Sequence, residues 1–205
     1  MPDQIPPGAK TSPSTARNRE PILSVLKPRL PASGLVLEIA SGAGEHAVYN
    51  AAALPHLAWQ PTDPDPAALA SIAAWREHAG LSNLLEPLRL DASLPDSWPI
   101  QSADALVNIN MIHISPWAAT EGLMTGAGRL LPPGSPLFLY GPYFEADVDT
   151  APSNLAFDLD LKARNPAWGL RRLDDIVALA AVHGLRLQQR VAMPANNLAL
   201  FFSKV

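Results

Sequence analysis

The chain has 205 residues, of which 48% are hydrophobic and 17% charged, and its formal net charge is -4. This composition fits one globular domain, predicts a soluble protein without a membrane span, and argues against nucleic acid as a partner. The absence of cysteine excludes disulfides, thiol nucleophiles and thiolate metal sites. Because the chain does not start with the pattern of a secretory signal, we expect a cytoplasmic protein. The net charge and the scattered basic residues favour a small molecule as its partner.

The first residues carry several prolines and little to bury. They predict a flexible N-terminal arm over 1–13, followed by a single domain over 14–205. Apolar residues at helical spacing then predict a helix, with Pro21 in its first turn and Pro28 at its end.

Strand-like and helix-like segments alternate from there onward, which indicates parallel strands joined by crossover helices. The strand-like segments read LVLEIA, LAWQPT, LEPLRLD, ADALVNINMI and SPLFLYG, and the helices are expected over 45–54, 66–78 and 116–131. Residues FEADVDTAPSNLAFD are expected to be irregular, and a last helix over 173–183 follows.

The chain ends differently, with the strand-like segments LRLQQRVAM and LALFFSKV separated only by PANN. A link that short joins antiparallel strands. The predicted fold is therefore α/β and Rossmann-like: a doubly wound, mostly parallel seven-stranded sheet with one antiparallel strand in a C-terminal hairpin.

Small residues follow the first strand in the stretch VLEIASGAGEH. Ser41, Gly42, Ala43 and Gly44 allow a sharp turn and close approach of a ligand to a helix N-terminus. The stretch lacks both common phosphate-binding signatures. Tight packing and ligand binding are both open for this turn.

Two carboxylates stand at the ends of the next strands. Asp63 follows Gly44 by 19 residues, about where an acidic side chain binds ribose hydroxyls in nucleotide folds, and Asp91 ends the third strand. Helix or turn capping is the alternative role for each. Together with the glycine turn, they suit a ligand with a ribose and a base but no pyrophosphate.

These residues resemble the first motif of class I S-adenosylmethionine-dependent methyltransferases, and the terminal hairpin resembles the end of that fold. The blocks SPSTARNREPIL, NINMIHISPW, WGLRRLDD and MPANNLAL look like a methyltransferase-like family catalogued as a domain of unknown function. The resemblance implies S-adenosylmethionine as cofactor and a transferase activity.

The resemblance also implies the positions that bind the cofactor. The methionine side is assigned to the first turn, the ribose to Asp63, and the adenine to Asp91 and Ala92. An alanine at position 40 is compatible with this if its φ is negative. The full set of expected cofactor residues is Arg17, Asn18, Glu38, Ala40, Ser41, Gly42, Gly44, Asp63, Asp91, Ala92 and Asn108.

Polar side chains at the remaining strand ends are expected to converge on the acceptor. This density of amide and hydroxyl groups suits a small polar molecule. The expected substrate residues are Asn110, Tyr140, Tyr143, Asn154, Asn196 and Asn197. The Asn196 and Asn197 pair has turn formation as its alternative.

Transfer of a methyl group depends largely on orientation, and a base is needed only if the acceptor must lose a proton early. His113 is the first candidate base, with a buried structural histidine as the alternative, and Asp158 is the second, with capping as its alternative. The histidine spacing does not support a metal site.

The leading functional hypothesis is a methyltransferase that acts on a small polar molecule by in-line transfer. The second is a regulator or scaffold that binds S-adenosylmethionine without turnover. A nicotinamide oxidoreductase is disfavoured by the incomplete dinucleotide fingerprint and the terminal hairpin. The acceptor atom and the oligomeric state stay open at this point.

Overall fold

A computed structural model describes residues 5–205, and within them helices and strands alternate along most of the chain. The helices are α1 (Pro13–Leu26), α2 (Glu45–Ala53), α3 (Pro66–Ala79), α4 (Trp117–Leu130), α5 (Pro152–Arg164) and α6 (Leu173–Val182). The strands are β1 (Gly34–Ile39), β2 (Leu57–Asp63), β3 (Leu88–Arg89), β4 (Ala105–Ile109), β5 (Pro136–Gly141), β6 (Tyr143–Phe144), β7 (Arg171–Arg172), β8 (Leu185–Met193) and β9 (Asn197–Lys204).

Seven strands form one sheet in the order β3-β2-β1-β4-β5-β9-β8. The pairs from β3 to β5 are parallel, whereas β9 runs antiparallel to both β5 and β8. The order reverses beside β1, where β2 and β4 flank it, and open sheets of this kind bind ligands at that switch point. The predicted fold class is confirmed, including the antiparallel strand of the C-terminal hairpin.

The sheet is buried on both faces because alternate strand residues point to opposite sides. Leu37 and Leu106 belong to the core that α4 and α6 cover. Val36 and Val107 belong to the core under α1 and α2. Helices on both faces leave the carboxyl edge of the parallel strands as the place for a site.

Helix α1 begins at Pro13, eight residues before Pro21, so the prediction of Pro21 in the first turn is wrong. Proline suits the first helical position at residue 13, whereas inside a helix it removes one backbone hydrogen bond. The fold tolerates Pro21 because Ile22 and Leu26 of the same helix are fully buried in the core.

The predicted arm over 1–13 lies partly outside the described residues, and its division from the domain over 14–205 stays a prediction. The backbone N–H of Lys10 donates to Ser71 Oγ at 2.7 Å, and the Lys10 carbonyl accepts from Trp75 Nε1 at 3.0 Å. The backbone N–H of Ser12 donates to Glu45 at the start of α2. These contacts bring the start of α1 to the carboxyl edge of the sheet.

Helix α5 begins within the segment expected to be irregular, and that expectation is wrong for residues 152–158. Its buried residues are Asn154, Asp158 and Leu161, whereas Leu155 and Leu159 are exposed. Because two of the three buried side chains are polar, the usual apolar periodicity is missing from the sequence. The short strands β6 and β7 pair in parallel at either end of this helix. No helix within residues 5–205 is long and apolar enough to cross a membrane.

Candidate functional site

The turn after β1 lies at the carboxyl edge and has positive φ at three positions. Ala40, Gly42 and Gly44 have φ of 57°, 57° and 92°. A Cβ at Gly44 would lie 2.9 Å from the Ile72 Cα, so the packing of the turn on α3 requires glycine there. A Cβ at Gly42 would have no atom within 4 Å, which leaves the backbone of this residue open to a ligand.

The expectation of a negative φ at Ala40 is wrong. The chain turns out of the sheet here, yet the backbone N–H of Ser41 still donates to Thr62 O at 2.7 Å. The left-handed conformation at Ala40 combines the turn with this bond to β2. It costs a residue with a Cβ roughly 1–2 kcal/mol.

Asp63, the last residue of β2, is hydrogen-bonded to the same turn. Its Oδ2 accepts from the backbone N–H of Gly42 at 2.9 Å, and its Oδ1 accepts from that of Asp65 at 3.0 Å. Burial raises the pKa of the Asp63 carboxyl, and the two hydrogen bonds oppose that rise. Each carboxylate oxygen has further acceptor capacity for a ligand hydroxyl.

Asp91 stands after β3 and caps its own turn. Its Oδ1 accepts from both the backbone N–H and the hydroxyl of Ser93, at 2.9 and 2.7 Å. Both bonds go to one oxygen of the carboxylate. Capping therefore occupies Oδ1 of Asp91 and does not use Oδ2.

A cavity of about 600 Å³ opens among these strand ends. We call it the large cavity. Five of the expected cofactor residues line it: Ala40, Gly42, Asp63, Asp91 and Ala92. Apolar side chains such as Leu90, Met111 and Ala119 supply much of the remaining wall. A cavity of this volume, mostly apolar with a few fixed polar groups, is typical of a small-molecule site.

Three further expected cofactor residues bond within the fold beside the cavity. Glu38 Oε2 accepts from Trp59 Nε1 at 2.6 Å, and Asn108 Nδ2 donates to Ile39 O at 2.9 Å. Ser41 Oγ accepts from the backbone N–H of Thr62 at 3.2 Å. These hydrogen bonds stabilise the end of β1 and the turn that follows it.

Glu38 carries the most unusual electrostatics of the three, because its side chain is 2% exposed. Burial raises its pKa from 4.5 to about 7, against the opposing effect of hydrogen bonds from Trp59 and Ser41. The nearby charge of Asp63 adds to the rise. This carboxyl therefore changes its charge near neutral pH.

A second cavity, of about 190 Å³, lies beside the turn of the terminal hairpin. We call it the small cavity. Four expected substrate residues line it: Tyr143, Asn154, Asn196 and Asn197. The side-chain amide of Asn154 donates to Asn196 O at 2.9 Å, which ties α5 to the hairpin turn.

The hairpin turn holds two consecutive residues in the left-handed region. Ala195 and Asn196 have φ of 56° and 57°, a conformation that costs energy at a residue with a Cβ and occurs often at functional sites. Opposite the turn, Arg190 pairs with Glu145 through two hydrogen bonds of 2.9 and 2.6 Å. The small cavity thus has fixed polar walls.

His113 lies in the core instead of lining either cavity. It is fully buried, and its ring meets the Tyr143 ring edge-on with 4.8 Å between centroids. Neither ring nitrogen has a hydrogen-bond partner within residues 5–205. Burial and the charge of Arg171 lower its pKa from 6.5 to about 3, so the imidazole is neutral at physiological pH. Its catalytic role stays a prediction.

Asp158 is bonded on both carboxylate oxygens. Oδ2 accepts from Lys162 Nζ at 2.6 Å, and Oδ1 accepts from the backbone N–H of Leu170 at 2.9 Å. These contacts anchor the chain after α5. A role as base for this residue also stays a prediction.

The two residues expected to close over the cofactor from α1 lie at the same edge. Arg17 is exposed, whereas Asn18 is partly buried beside the Tyr140 hydroxyl. Tyr140 O accepts from the backbone N–H of Asn110 at 2.8 Å at the ends of β4 and β5. Because the Tyr140 hydroxyl lies beside Asn18, these two expected substrate residues are close to α1. Within residues 5–205, no group of three His, Cys, Asp or Glu side chains is arranged to hold a metal ion.

The sequence matches a family model described as "Protein of unknown function (DUF938)" over residues 9–204. The chain belongs to this family. The match covers the glycine turn, both strand-end carboxylates and the terminal hairpin, so the two cavities lie within it.

Several solved structures with the same fold are described as methyltransferases. An O-methyltransferase family 2 protein from Planctomyces limnophilus, in complex with apigenin, is 19% identical with a TM-score of 0.77 and covers 94% of this chain and 60% of its own. An O-methyltransferase family protein from Burkholderia thailandensis is 17% identical with a TM-score of 0.79, covering 93% and 57%. CalO1, a methyltransferase in calicheamicin biosynthesis in its SAH-bound form, is 15% identical with a TM-score of 0.71, covering 94% and 55%.

These likenesses establish the fold. The chain spans between 55% and 60% of the length of the three structures.

Sequence reasoning did not assign several lining residues. Asn165 and Trp168 line the large cavity, and Glu145 and Arg190 line the small one. For Trp168, the sequence favours packing in the interior and leaves contact with a substrate as the alternative. The signal available was the block WGLRR, whose position beside the cavity depends on the unpredicted helix α5.

Proposed function

We propose that the protein is an S-adenosylmethionine-dependent methyltransferase that acts on a small polar acceptor. One observation carries the proposal: the left-handed turn, Asp63 and Asp91 meet around one large cavity at the switch point of the sheet. Carboxylates suit the hydroxyl and amino donors of an adenosine, and the apolar wall suits its base. The absence of phosphate signatures fits a ligand without phosphate.

The residues of the cavity fit this cofactor. Gly42 leaves open space where another residue would have a side chain, and Asp63 has acceptor capacity beyond its bonds to the turn. We assign the ribose hydroxyls to Asp63, the adenine to Asp91 and Ala92, and the methionine side to the turn and the start of α1. The remaining expected cofactor residues brace these contacts.

The bound cofactor supplies a methyl group on a positively charged sulfur. The part of this chain is to orient the acceptor atom toward that group, and orientation is worth about 7 to 11 kcal/mol in well-positioned systems. We place the acceptor between the ends of β4 and β5 and the small cavity. Its hydrogen-bonding groups would be those of Asn110, Tyr140, Tyr143, Asn154, Asn196 and Asn197.

Calorimetric titration with S-adenosylhomocysteine tests the cofactor assignment. Wild type is expected to bind, and Asp63→Asn and Asp91→Asn are expected to bind at least about tenfold more weakly, because bonds to charged groups contribute about 1.5–3 kcal/mol. Asp96→Asn is the matched control, since Asp96 is exposed and lies outside the cavity lining. A folded wild type that does not bind overturns the proposal.

A regulator that binds the cofactor without turnover is the second candidate. The observation that favours it is that neither candidate base lines the large or the small cavity: His113 is buried in the core and Asp158 is ion-paired. Transfer of a labelled methyl group to any component of a small-molecule extract separates the two functions. Binding without transfer supports the regulator, and transfer that His113→Ala leaves unchanged removes His113 as a base.

A further inference from the structure

Helix α5 lies between the two cavities. Its first turn carries Asn154, which lines the small cavity. The chain that follows its last turn carries Asn165 and Trp168, which line the large cavity. One helix therefore contributes to both walls.

The turn after α5 is tied back onto the helix. Asp158 accepts from the backbone N–H of Leu170, and its ion pair with Lys162 holds the carboxylate in place. Gly169, with φ of 142°, lies so close that a Cβ there would be 2.7 Å from Asp158 Oδ1. This contact leaves no room for a side chain between the turn and the helix.

The same turn is tied to the loop after β4. The backbone N–H of Gly169 donates to His113 O at 2.9 Å. The Arg171 guanidinium donates to Ile112 O at 3.0 Å and to Ser115 O at 2.7 Å. Because this loop supplies Ile114 and Ser115 to the large cavity, the turn and the loop form one wall.

Trp168 belongs to this turn, which is bonded both to α5 and to the loop after β4. Its indole is partly buried, and the Arg164 guanidinium lies 5.2 Å from the ring centroid. Backbone and side-chain hydrogen bonds of residues 167–171 fix the segment, including Trp168 N–H to Asn165 O at 2.9 Å. An aromatic ring held this firmly at a cavity wall is suited to pack against a planar ligand.

We propose that Trp168 contacts the bound cofactor and that α5 transmits this contact to the small cavity. The inference rests on the proposed function, because it takes the large cavity as the cofactor site. A bound ligand that packs on Trp168 stabilises the turn, and through Asp158 it stabilises α5. The Asn154 bond to Asn196 then holds the hairpin turn, so the acceptor site is ordered after the cofactor binds.

Titration with S-adenosylhomocysteine tests the contact. Trp168→Ala is expected to bind about tenfold more weakly, as for a buried aromatic contact, and Trp168→Phe to recover most of the affinity. If wild type binds and Trp168→Ala binds equally well, this inference alone is overturned. If the folded wild type does not bind, the proposed function fails as well.

Two glycines with positive φ provide a comparison that tests the anchor. Gly169→Ala introduces a Cβ against Asp158, whereas Gly134→Ala introduces one where no atom lies within 4 Å. Both positions have positive φ, so both variants carry backbone strain. Only Gly169→Ala is expected to weaken binding of S-adenosylhomocysteine, and equal affinities for the two folded variants overturn the anchoring role.

Hydrogen exchange of backbone amides measures whether cofactor binding stabilises α5, and it needs no methyl acceptor. Saturation with S-adenosylhomocysteine is expected to slow exchange of the backbone amides of α5 and of residues 195–197 about tenfold in wild type. Trp168→Ala, at saturating ligand, is expected to lose this protection. Slowing confined to the turn after β1 contradicts the coupling.

Discussion

Glu38→Gln removes one buried carboxyl from the strand that leads into the large cavity. The glutamine keeps an oxygen that accepts from Trp59 Nε1, so the substitution changes the ionisation and preserves the bond. In the folded protein, burial holds the pKa of Glu38 near 7 instead of 4.5. The folded state therefore binds a proton that the unfolded chain has already released over that range.

The sign of the pH effect follows from this difference. The contribution of Glu38 to stability is complete below about pH 4.5, is lost as the pH rises through about 7, and is absent above that. Since one pKa unit corresponds to about 1.4 kcal/mol, the total loss is about 3 kcal/mol. Glu38→Gln is expected to lose none of it.

Urea unfolding at about pH 5 and about pH 8.5 measures the effect. The free energy of unfolding of Glu38→Gln, minus that of wild type, is expected to grow by about 2–3 kcal/mol across this range. Taking the difference cancels the other titrating groups. Trp59→Phe provides a second arm, because it removes a bond that lowers the Glu38 pKa and so shifts the loss of stability to higher pH. A difference between Glu38→Gln and wild type that does not change with pH refutes the reasoning.

Three further predictions follow from particular side chains. Ala40→Gly is expected to raise the free energy of unfolding by up to about 1 kcal/mol, because relief of the left-handed strain outweighs the added freedom of the unfolded glycine; a loss of stability in urea contradicts this. Asn154→Ala is expected to lower that free energy by about 1 kcal/mol, since it removes the bond to Asn196 O, and an unchanged value contradicts the role of that bond. Burial lowers the pKa of His46 to about 4 and of His113 to about 3, so both rings bind protons only in the unfolded chain as the pH falls below 6.5. NMR is expected to show both rings neutral at about pH 5, with stability falling below pH 6.5, and titration of either ring near 6.5 would be the opposite result.

The part of the candidate site that lies at the strand ends could be predicted from the sequence. Asp63 and Asp91 are placed by the alternation of strands and helices, because parallel strands bring their carboxyl ends to one edge. The conformation of Gly44 is equally local, since the turn into α2 gives it a positive φ that favours a residue without a Cβ. The convergence of Asp63 and Asp91 on the large cavity follows from topology alone.

The order of most strands and helices, the antiparallel hairpin and the strand-end carboxylates could be predicted from the sequence, because they depend on periodicity and on short links between neighbours. The positive φ of Ala40, the burial of His113 and the position of Trp168 became visible only in the folded structure. Each of these depends on contacts between segments far apart in the chain, such as the Gly169 N–H bond to His113 O. Helix α5 belongs to the second group because its buried face is polar: its place is set by Asp158 and Asn154 bonding to distant backbone, and no local pattern records such bonds.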